Sequence, residues 1–415
     1  MTTPFQTSLK GVFEQSAQRD ALGAVRAKAW QQLEQCGLPT RKDEAFSYVS
    51  WRDLHESVFQ SSAPVSLQKS EILQHVLPCC SHSHLVLVNG IFMPELSDLS
   101  ALPASIVLLP LAEAMRSHSA FLQNHFAKAL KEEKDPFVLL NLALHASGVF
   151  LYVPPKTGVV APIQCLHVSQ GSQPQAIASR LHLLVGAQVQ LEWINSSVEL
   201  DPAAAHFFTT NMDLLLEEGA QVGVFQSAQH SSAWIFNALR ATLKRSACLK
   251  TVHHGVGAKF TRQSYRVRLS GEGSEVDLKG LSKLSGREQA HAHVVIDHEA
   301  PHTRSNQLFK GVLFDASQSS FDGKIIVRKE AQKTEAYQLN RHLILGSAAV
   351  ANSKPNLEIF ADDVKASHGA TVTQPDAAQL FYLKSRGISQ SGAQELLIEG
   401  FCQEIPMPYM RGGAS

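Results

Sequence analysis

The sequence predicts a mainly β protein whose strands stack as coils, with helical regions at both ends. Three observations support this prediction: apolar and polar residues alternate through the middle of the chain, turn-like segments recur there, and both ends show helical spacing. In residues 187–194, AQVQLEWI, valine, leucine and tryptophan alternate with glutamine and glutamate. A period of two indicates strands with one buried face.

The turn-like segments recur at nearly constant spacing. VGAQV, EEGAQV, RSACL and GEGSEV place equivalent positions at Ala187, Ala220, Ala247 and Ser274, which are 33, 27 and 27 residues apart. Recurrence of this kind predicts stacked strand coils, as in a β-helix or solenoid. Four turns are also compatible with an ordinary β-sandwich. The last of them, GEGSEV, is interpreted as a hairpin turn, because alternating strands flank it and no helix follows.

The N-terminal part of the chain combines helical and strand signals. Residues from about 8 to 35 are rich in Ala, Gln, Leu and Glu, and their apolar residues have helical spacing. Gly37 and Pro39 follow as the expected end of that helix. Further on, SHLVLVNGIFMPEL indicates a hairpin that turns at Asn89 and Gly90.

The chain becomes helical again after residue 372. Pro375 and Asp376 suit the first turn of a short helix that Gly387 ends. A second helix is predicted from i, i+3, i+4, i+7, i+8 spacing along one face, formed by Ala393, Leu396, Leu397, Gly400 and Phe401. We therefore expect an N-terminal helical and mixed region, a strand-rich core and a C-terminal helical region, at residues 1–134, 135–372 and 373–415.

Composition argues against several partners. The 415 residues include 37 Lys and Arg and 37 Asp and Glu, so no net charge draws the chain to nucleic acid or anionic lipid. No apolar run approaches the roughly 20 residues that span a bilayer, and the start lacks the layout of a secretory signal. We expect a soluble, cytoplasmic protein that binds neither nucleic acid nor membrane.

Cysteine and glycine motifs argue against two kinds of site. The six cysteines are scattered and form no CxxC pair, so neither a disulfide framework nor a self-sufficient cluster or zinc site is encoded locally. No GxxxxGK[ST] loop occurs, and we expect no ATP site. Cys165 and Cys248 are expected to pack as small apolar side chains, and Cys402 is expected to be partly buried.

The densest group of candidate chemistry lies in NLEIFADDVKASHGATV, residues 356–372. Asp362, Asp363 and His368 could form an acid–base set, since a carboxylate orients an imidazole and raises its basicity. In the alternative interpretation both aspartates are structural at a strand end, and His368 is a ligand or an interface residue. No Ser or Cys nucleophile on a recognisable elbow accompanies them, so the alternative is favoured.

Two further groups have the residue types of metal ligands. His291 and His293 lie two apart, hence on one face of a strand, where both could bind one metal. Cys79 and Cys80 precede two histidines and resemble a ligand cluster, although adjacent side chains point in different directions. Such pairings arise by chance in a chain with 19 histidines. Polar strand and loop residues are the favoured interpretation of both groups.

The segment FYLKSRG predicts a partner surface. Tyr382, Lys384 and Arg386 alternate there with apolar residues, so a short helix cannot bury all its large side chains. Aromatic residues and Arg are the types that anchor protein interfaces. Packing of this helix against the sheet is the alternative.

Several stretches together resemble a known family. ADDVKASHGATV with FYLKSRGISQSGAQELLIEGF, LPTRKDEAFSYVSWRDL, and the segment from HVVIDHEAPHTRSNQLFKGVLFD to SKPNLEIFADDV are similar to the SufB/SufD family of iron–sulfur cluster assembly proteins. The SHGAT form resembles the SufD branch. The similarity extends from about Leu38 to Ile405 and is weaker between His55 and Asp135.

The resemblance implies a right-handed parallel β-helix core flanked by helical regions. It implies a non-catalytic scaffold subunit of the SUF complex, without a cofactor on the isolated chain, which supports iron acquisition and formation of a nascent iron–sulfur cluster at a SufB–SufD interface. Such a subunit pairs with SufB through the β-helix and binds the ATPase SufC through its C-terminal helices. The corresponding docking residues are Phe381, Tyr382, Arg386, Gly387 and Phe401. An isolated chain could form a homodimer through the same strand edges.

The resemblance also gives His368 a role. This residue matches the family's SHGAT histidine, which is implicated at the SufB–SufD interface and could bind iron together with a SufB cysteine. Ala366 departs from the family pattern, which often has cysteine there. Ligation by a thiol of this chain at that position is therefore excluded.

Two other functions compete with the scaffold hypothesis. One is a β-helix carbohydrate lyase or hydrolase that uses Asp362, Asp363 and His368, although such enzymes are commonly secreted. The other is a SufB-like scaffold that carries its own cluster thiol. Ala366 and the SHGAT form argue against this second alternative.

Overall fold

Two long sheets form the centre of the molecule. The computed structural model describes residues 3–16, 22–63, 65–145, 147–201, 204–229, 232–406 and 409. Sheet A has ten strands: β1 (Gln60–Ser61), β4 (Val107–Pro110), β5 (Ser147–Val153), β7 (Gln175–Val185), β9 (Phe207–Leu216), β11 (Trp234–Leu243), β13 (Phe260–Leu269), β15 (Gln289–His298), β17 (Gln318–Val327) and β19 (Val350–Ile359). Sheet B also has ten: β2 (His84–Val88), β3 (Ile91–Phe92), β6 (Ile163–Ser169), β8 (Gln190–Glu199), β10 (Gln221–Gln229), β12 (Cys248–Val256), β14 (Glu275–Leu284), β16 (Arg304–Leu313), β18 (Thr334–Ile344) and β20 (Val364–Thr373).

From β5 onward, successive strands alternate between the two sheets. Each strand pairs in parallel with the strand two places along the chain, as β10 does with β8 and β12. One coil therefore contributes one strand to each sheet. This arrangement confirms the predicted parallel β-helix, and it excludes a β-sandwich, whose sheets are antiparallel.

The recurring turns mark the corners of the coils. Strands β8, β10, β12 and β14 all begin within three residues of a predicted turn position. Gln221 pairs with Gln190 on one side and Cys248 on the other, so equivalent turns stack. The hairpin interpretation of GEGSEV is wrong, because β13 and β14 on either side of it belong to different sheets. The chain turns a corner there without reversing its direction within one sheet.

Alternation along each strand separates the interior from the surface. In β8, Leu191 and Trp193 are buried, whereas Gln190 and Glu192 are exposed. Buried apolar side chains of successive coils form one cluster along the β-helix. Burial of one Val or Leu side chain contributes roughly 1.5–3 kcal/mol, so this cluster is a main stabilising feature of the stack.

In the described part of the chain, seven helices lie before β5. They are α1 (Pro4–Ser16), α2 (Gly23–Cys36), α3 (Arg52–Glu56), α4 (Lys69–Leu73), α5 (Leu111–Ser117), α6 (Ser119–Glu132) and α7 (Pro136–Leu144). The single helix predicted over residues 8–35 is wrong in its bounds, because α1 begins earlier and α2 begins anew at Gly23, a residue that weakens a helix interior. Residues 17–21, between them, lie outside the described residues. Gly37, with φ +72°, ends α2 as expected.

Helix α7 occupies the start of the segment that was expected to be strand-rich. Asp135 accepts a hydrogen bond from the Phe137 N–H, and Pro136 takes the first helical position. All nine residues of α7 are buried. Its Phe137 ring stacks on Trp51 and on Phe236 of β11, at centroid distances of 5.3 and 4.0 Å. These contacts fix the N-terminal helices on the outer face of sheet A.

The hairpin predicted at Asn89 and Gly90 is confirmed. β2 and β3 pair antiparallel around these two residues, whose φ angles of +48° and +81° suit a tight hairpin turn. β2 also pairs in parallel with β6, so the hairpin begins sheet B.

Two helices follow the last strand, as predicted: α8 (Ala377–Ser385) and α9 (Gln390–Cys402). Asp376 and Ser389 cap their first turns through side-chain oxygens. Gly387, with φ +86°, lies between them. None of the helices in the described part of the chain combines the length and the apolar character needed to cross a bilayer.

Candidate functional site

The last coil of the β-helix has an unpaired edge. Within the described residues, β19 pairs with β17 alone and β20 with β18 alone. No residue of β20 is buried, and most of β19 is half-buried. Backbone N–H and C=O groups at such an edge are available to another strand. We call this end of the β-helix, formed by β19 and β20, the open end.

His368 lies at the open end on the face that points into the β-helix. Gln307, Gln338 and His368 occupy one row across β16, β18 and β20. Both glutamines are buried, whereas Tyr337 and Leu339 on either side of Gln338 are 38% exposed. Residues paired in register share a face of the sheet. His368 therefore continues an interior row, and it is exposed because no further coil covers it.

The row supplies a hydrogen-bonding partner for an imidazole. Gln338 Nε2 donates to Gln307 Oε1 at 3.1 Å, while Gln338 Oε1 has no partner among the described residues. An unsatisfied buried acceptor costs about 1–3 kcal/mol. His368 is the next side chain in register. An N–H donated from its ring to this oxygen would leave the other ring nitrogen with a lone pair for a metal.

Ala366 lies on the same interior face as His368. It pairs with Ala336, which is fully buried. A cysteine at position 366 would therefore point into the same space as His368, whereas this chain has only a methyl group there. The sequence has no cysteine between Cys248 and Cys402, so strands β13 to β20 contain no thiol.

Asp362 and Asp363 do not join His368. Both are exposed in the turn before β20, where the Asp363 N–H donates to Gln332 Oε1 at 3.0 Å. Asp363 precedes His368 by five residues, which corresponds to roughly 16 Å along a strand. The acid–base set is wrong because the extended backbone separates its members. The structural interpretation of both aspartates is favoured.

Helix α8 presents its large side chains to solvent. None of its residues is buried, and Phe381 and Tyr382 are 74% and 57% exposed. The Arg386 guanidinium carbon lies 5.2 Å from the centroid of the Tyr382 ring. The alternative, in which this helix packs against the sheet, is wrong for α8. Gly387 ends the helix directly after Arg386.

Helix α9, in contrast, is attached to the outer face of sheet B. The fully buried Lys310 side chain donates from Nζ to the Phe401 carbonyl at 2.7 Å and pairs with Glu404. Lys310 Nζ and the Arg341 guanidinium carbon lie 4.7 and 5.6 Å from the centroid of the Phe401 ring. Phe401, predicted as a docking residue, therefore holds α9 on the β-helix.

The predicted apolar face of α9 is wrong in part. Ala393 is buried as expected, but Leu396 is 47% exposed and Gly400 is exposed too. Leu397 lines a groove between α8 and α9 together with Tyr382. The helix contacts the sheet through a narrower stripe than its spacing predicted, because Leu396 and Gly400 are exposed to solvent and Leu397 lies beside α8.

The histidine and cysteine groups noted in the sequence do not form three-ligand sites. His291 Nδ1 bonds to Ser320 Oγ at 2.7 Å, and His293 Nδ1 lies 3.3 Å from Asp322 Oδ2. In the adjacent pair, Cys79 Sγ and Cys80 Sγ are 3.7 Å apart. Among the described residues, three such ligand atoms come within 4.8 Å of one another only at His125, His182 and Asp213. Cys165 is buried, as expected. Cys248, which was expected to pack in the same way, is only half-buried, and Cys402 is buried where partial burial was expected.

The group of His125, His182 and Asp213 is an ion-pair network. Arg180 Nη2 lies 2.8 Å from Asp213 Oδ2, and Arg180 Nε donates to His182 Nε2 at 3.2 Å. Burial lowers the pKa of His182 well below its ordinary value, so the ring is neutral. Because Nε2 accepts a bond, the proton is on Nδ1, which lies 3.4 Å from Asp213 Oδ2 and has no lone pair for a metal.

Sequence reasoning missed this network and two similar ion pairs. Arg240 Nε contacts Glu133 at 2.7 Å, and Arg262 Nη1 contacts Asp135 at 2.7 Å. All four side chains are largely or fully buried. The available signal was arginine within otherwise apolar strands, as in SRLHLLV, since a buried charge needs a partner.

The fold defines the class of protein: a parallel β-helix with helical regions at both ends. Comparison with known proteins then identifies the family. The description "SUF system FeS cluster assembly, SufBD core domain" matches residues 167–401, and "SufBD protein N-terminal region" matches residues 3–165. The chain belongs to the SufBD family of iron–sulfur cluster assembly proteins, as its sequence motifs predicted.

Individual relatives agree with this assignment. The chain is 30% identical over 409 residues to an iron–sulfur cluster assembly SufBD family protein of Synechocystis, covering 95% of this chain and 87% of the relative. It is 29% identical over 382 residues to the iron–sulfur cluster assembly protein SufD of Escherichia coli, covering 90% and 86%. Identity to SufB of Bacillus subtilis is 24% over 375 residues, covering 87% and 77%. The chain is therefore a SufD-like homologue within its family.

Proposed function

We propose that this chain is a non-catalytic scaffold subunit of a SUF-type complex that assembles iron–sulfur clusters, and that it pairs with a SufB-like subunit through the open end. One observation carries the proposal: the interior row of Gln307, Gln338 and His368 ends at an unpaired strand edge. Exposed strand edges are recognised by addition of a further strand. The similarity to proteins named SufD and SufB supports the choice of partner.

The nascent iron–sulfur cluster would be cargo, held at the paired ends of two subunits. His368 would supply an imidazole nitrogen and the partner a thiolate, a mixed ligand set that iron accepts. Such sharing is supported by the interior position of His368 and by the methyl group at Ala366. The isolated chain would hold no cofactor, and iron would be acquired in the complex. We propose that cluster assembly by this complex takes place in the cytoplasm.

A SufC-like ATPase would dock on the helices that follow the β-helix. Phe381, Tyr382 and Arg386 supply an exposed aromatic and cationic surface on α8, the composition that anchors interfaces. Gly387 ends this surface, and Phe401 supports it indirectly by fixing α9. The carbohydrate lyase or hydrolase alternative required Asp362, Asp363 and His368 to act together. Asp362 and Asp363 lie far from His368 along the strand, so the structure does not bring these three residues together.

The experiment is anaerobic cluster assembly with the full chain, a SufB-like subunit and a SufC-like ATPase. We expect His368→Ala to leave the complex intact and to lower its iron and sulfide content about tenfold or more, because loss of a residue that merely orients a metal ligand already weakens metal binding about tenfold. Visible absorption and iron-to-sulfide analysis measure the effect. His82→Ala removes an exposed imidazole in the N-terminal region and serves as the matched control. Equal cluster content in both variants would contradict the proposed role of His368.

A further inference from the structure

A cleft of about 460 Å³ lies between α6 and the outer face of sheet A. Arg180 and Asp213 lie among the residues at its base, and Phe121 of α6 lies at its side. The open end and α8 contribute no residue to it. The proposed scaffold function therefore leaves this cleft unexplained. Its size is within the range of about 300–1,000 Å³ typical of small-molecule sites.

The side chains that line the cleft have a surplus of positive charge. Six are cationic and four are carboxylates. Three of the carboxylates already have partners in the cleft, with N···O distances of 2.8, 2.7 and 3.2 Å: Asp213 with Arg180, Glu133 with Arg240 and Glu132 with Arg268. The remaining carboxylate, Glu217, lines the cleft together with three further cations, Lys128, Lys244 and Arg266. Among the described residues, none of these three cations forms a salt bridge.

Arg266 is the cation whose position most needs an anion. It pairs in register with Arg240 of the neighbouring strand. Like charges at directly paired positions destabilise a sheet. Arg240 forms an ion pair with Glu133, whose pKa is also lowered by the charge of Arg266, whereas Arg266 Nη1 donates to a backbone carbonyl, that of Glu132, at 3.1 Å. An anion bound in the cleft would compensate the second guanidinium.

The cleft also has an apolar wall. Phe121 is 38% exposed, and its ring lies roughly parallel to that of His125, with centroids 6.2 Å apart. Val138, Leu142 and Leu215 line the cleft as well. An exposed aromatic face beside aliphatic side chains favours a planar aromatic group. The chemistry of the site is thus apolar on one side and cationic on the other.

We propose that this cleft is a binding site for a small organic anion with an aromatic body. The anionic group contacts Arg266 and Lys128, and the aromatic body packs against Phe121. The buried pairs of Arg180 with Asp213 and of Arg240 with Glu133 hold the base of the cleft in one geometry. None of the residues that line this site belongs to β19, β20 or α8.

The test uses 8-anilinonaphthalene-1-sulfonate, an aromatic sulfonate, as the probe. Isothermal titration of the folded full-length chain is expected to give one saturable site. Arg266→Ala should raise the dissociation constant about tenfold, which is the loss of one charge-assisted contact. Phe121→Ala should weaken binding through the aromatic side. Arg287→Ala, at an exposed turn outside the cleft, is the control and should bind as the unmodified chain does.

Further measurements make the result decisive. Circular dichroism and urea unfolding check that each variant folds, and Lys128→Ala on the surface of α6 replaces Arg266→Ala if that variant does not. Inorganic pyrophosphate, an anion without an aromatic group, tests whether negative charge alone is enough for binding. Failure of pyrophosphate to displace the probe supports an aromatic ligand. Displacement at equal concentration contradicts it. Absence of saturable binding, or binding unchanged by both Arg266→Ala and Lys128→Ala, would overturn the site.

Discussion

At the scale of residues, one buried carboxylate connects the N-terminal helices to the β-helix. Asp135 accepts from Arg262 Nη1 at 2.7 Å and from Ser264 Oγ at 2.9 Å, and it caps α7 through the Phe137 N–H at 3.0 Å. Burial alone would raise the pKa of Asp135, but Arg262 and Arg240 hold it well below the ordinary value. The folded protein therefore depends on this carboxylate remaining charged.

Asp135→Asn is expected to lower the free energy of unfolding by about 3–5 kcal/mol, because removing one partner leaves a buried guanidinium uncompensated. Urea unfolding followed by circular dichroism at neutral pH measures this loss. Asp362→Asn, the same substitution at an exposed turn, should leave the urea midpoint nearly unchanged. Similar midpoints for the two variants would show that Arg262 does not depend on Asp135.

The sequence predicted some of these residues and not others, for a physical reason. His368 could be singled out because the motif that contains it, NLEIFADDVKASHGATV, is local in the sequence. The pair of Arg262 and Asp135 joins residues 127 positions apart in the chain. Which carboxylate reaches which arginine depends on the register of the coils and on how α7 packs, and neither is written in a local pattern.

At the scale of elements, α8 is stabilised by hydrogen bonds at its first turn and by a glycine after its last, and its side chains are not buried. Asp376 Oδ1 accepts from the Ala378 and Gln379 N–H groups at 2.7 and 3.0 Å. Gly387, with positive φ, ends the helix. A helix stabilised at its termini can expose Phe381 without unfolding.

Phe381→Ala and Arg386→Ala should each weaken association with a SufC-like ATPase by about fivefold or more, because truncation of an interface anchor costs more than about 1 kcal/mol. Co-purification from co-expressing cells, followed by titration of the purified chains, measures the change. Val160→Ala truncates an apolar residue that is 99% exposed elsewhere and is the control. Undiminished binding by both α8 variants would place the ATPase on another surface.

The prediction failed for the connection between β13 and β14, because a local pattern does not show which sheet each strand joins. Alternation identified β13 and β14 and the turn between them, yet the turn is a corner and not a hairpin. Two strands joined by a short turn have the same local pattern in either case. The repeat of about 27–33 residues between turn positions was the better guide, because stacked coils require equivalent turns to recur.

At the scale of the whole molecule, the stack of coils ends without a cap at β19 and β20. Val372 is 48% exposed there, in register with the buried His342 of β18. It therefore occupies a second interior row at the open end. A lysine that points inward at a sheet edge is a common obstacle to edge pairing.

Val372→Lys should leave the chain folded, since the ammonium group can reach water at the open end. It should abolish pairing with a SufB-like subunit and any homodimer formed through the same end, because pairing would bury an unpaired charge. Light scattering coupled to size-exclusion chromatography measures both states. Val160→Lys is the matched control. An intact complex with Val372→Lys would mean that pairing uses another face.

The buried histidines predict how stability depends on pH. Burial lowers the pKa of His167 and His342 to about 4 and that of His253 and His291 to about 3. In the unfolded chain the ordinary value is about 6.5. The unfolded state therefore binds protons that the folded state does not, and stability present above pH about 6.5 falls as the pH drops toward 4.

Urea unfolding at several pH values between 8 and 5 is expected to show this loss, at up to about 1.4 kcal/mol per pH unit for each histidine proton taken up. His253→Gln should reduce the slope, whereas His82→Gln, which changes an exposed ring, should not. A stability profile that stays flat between pH 7 and 5 would contradict the neutral, buried state of these rings.

The attachment of α9 has a mechanical consequence for the open end. Lys310 and Arg341, which contact Phe401, share a register row with Thr371 on β20, three residues after His368. Two strand spacings, roughly 10 Å, separate Lys310 from that strand. A displacement of the C-terminal helices would thus be transmitted from β16 through β18 to β20, because these three strands are hydrogen-bonded in that order. The stiffness of the β16–β18 and β18–β20 ladders would determine how far His368 moves when α9 is displaced.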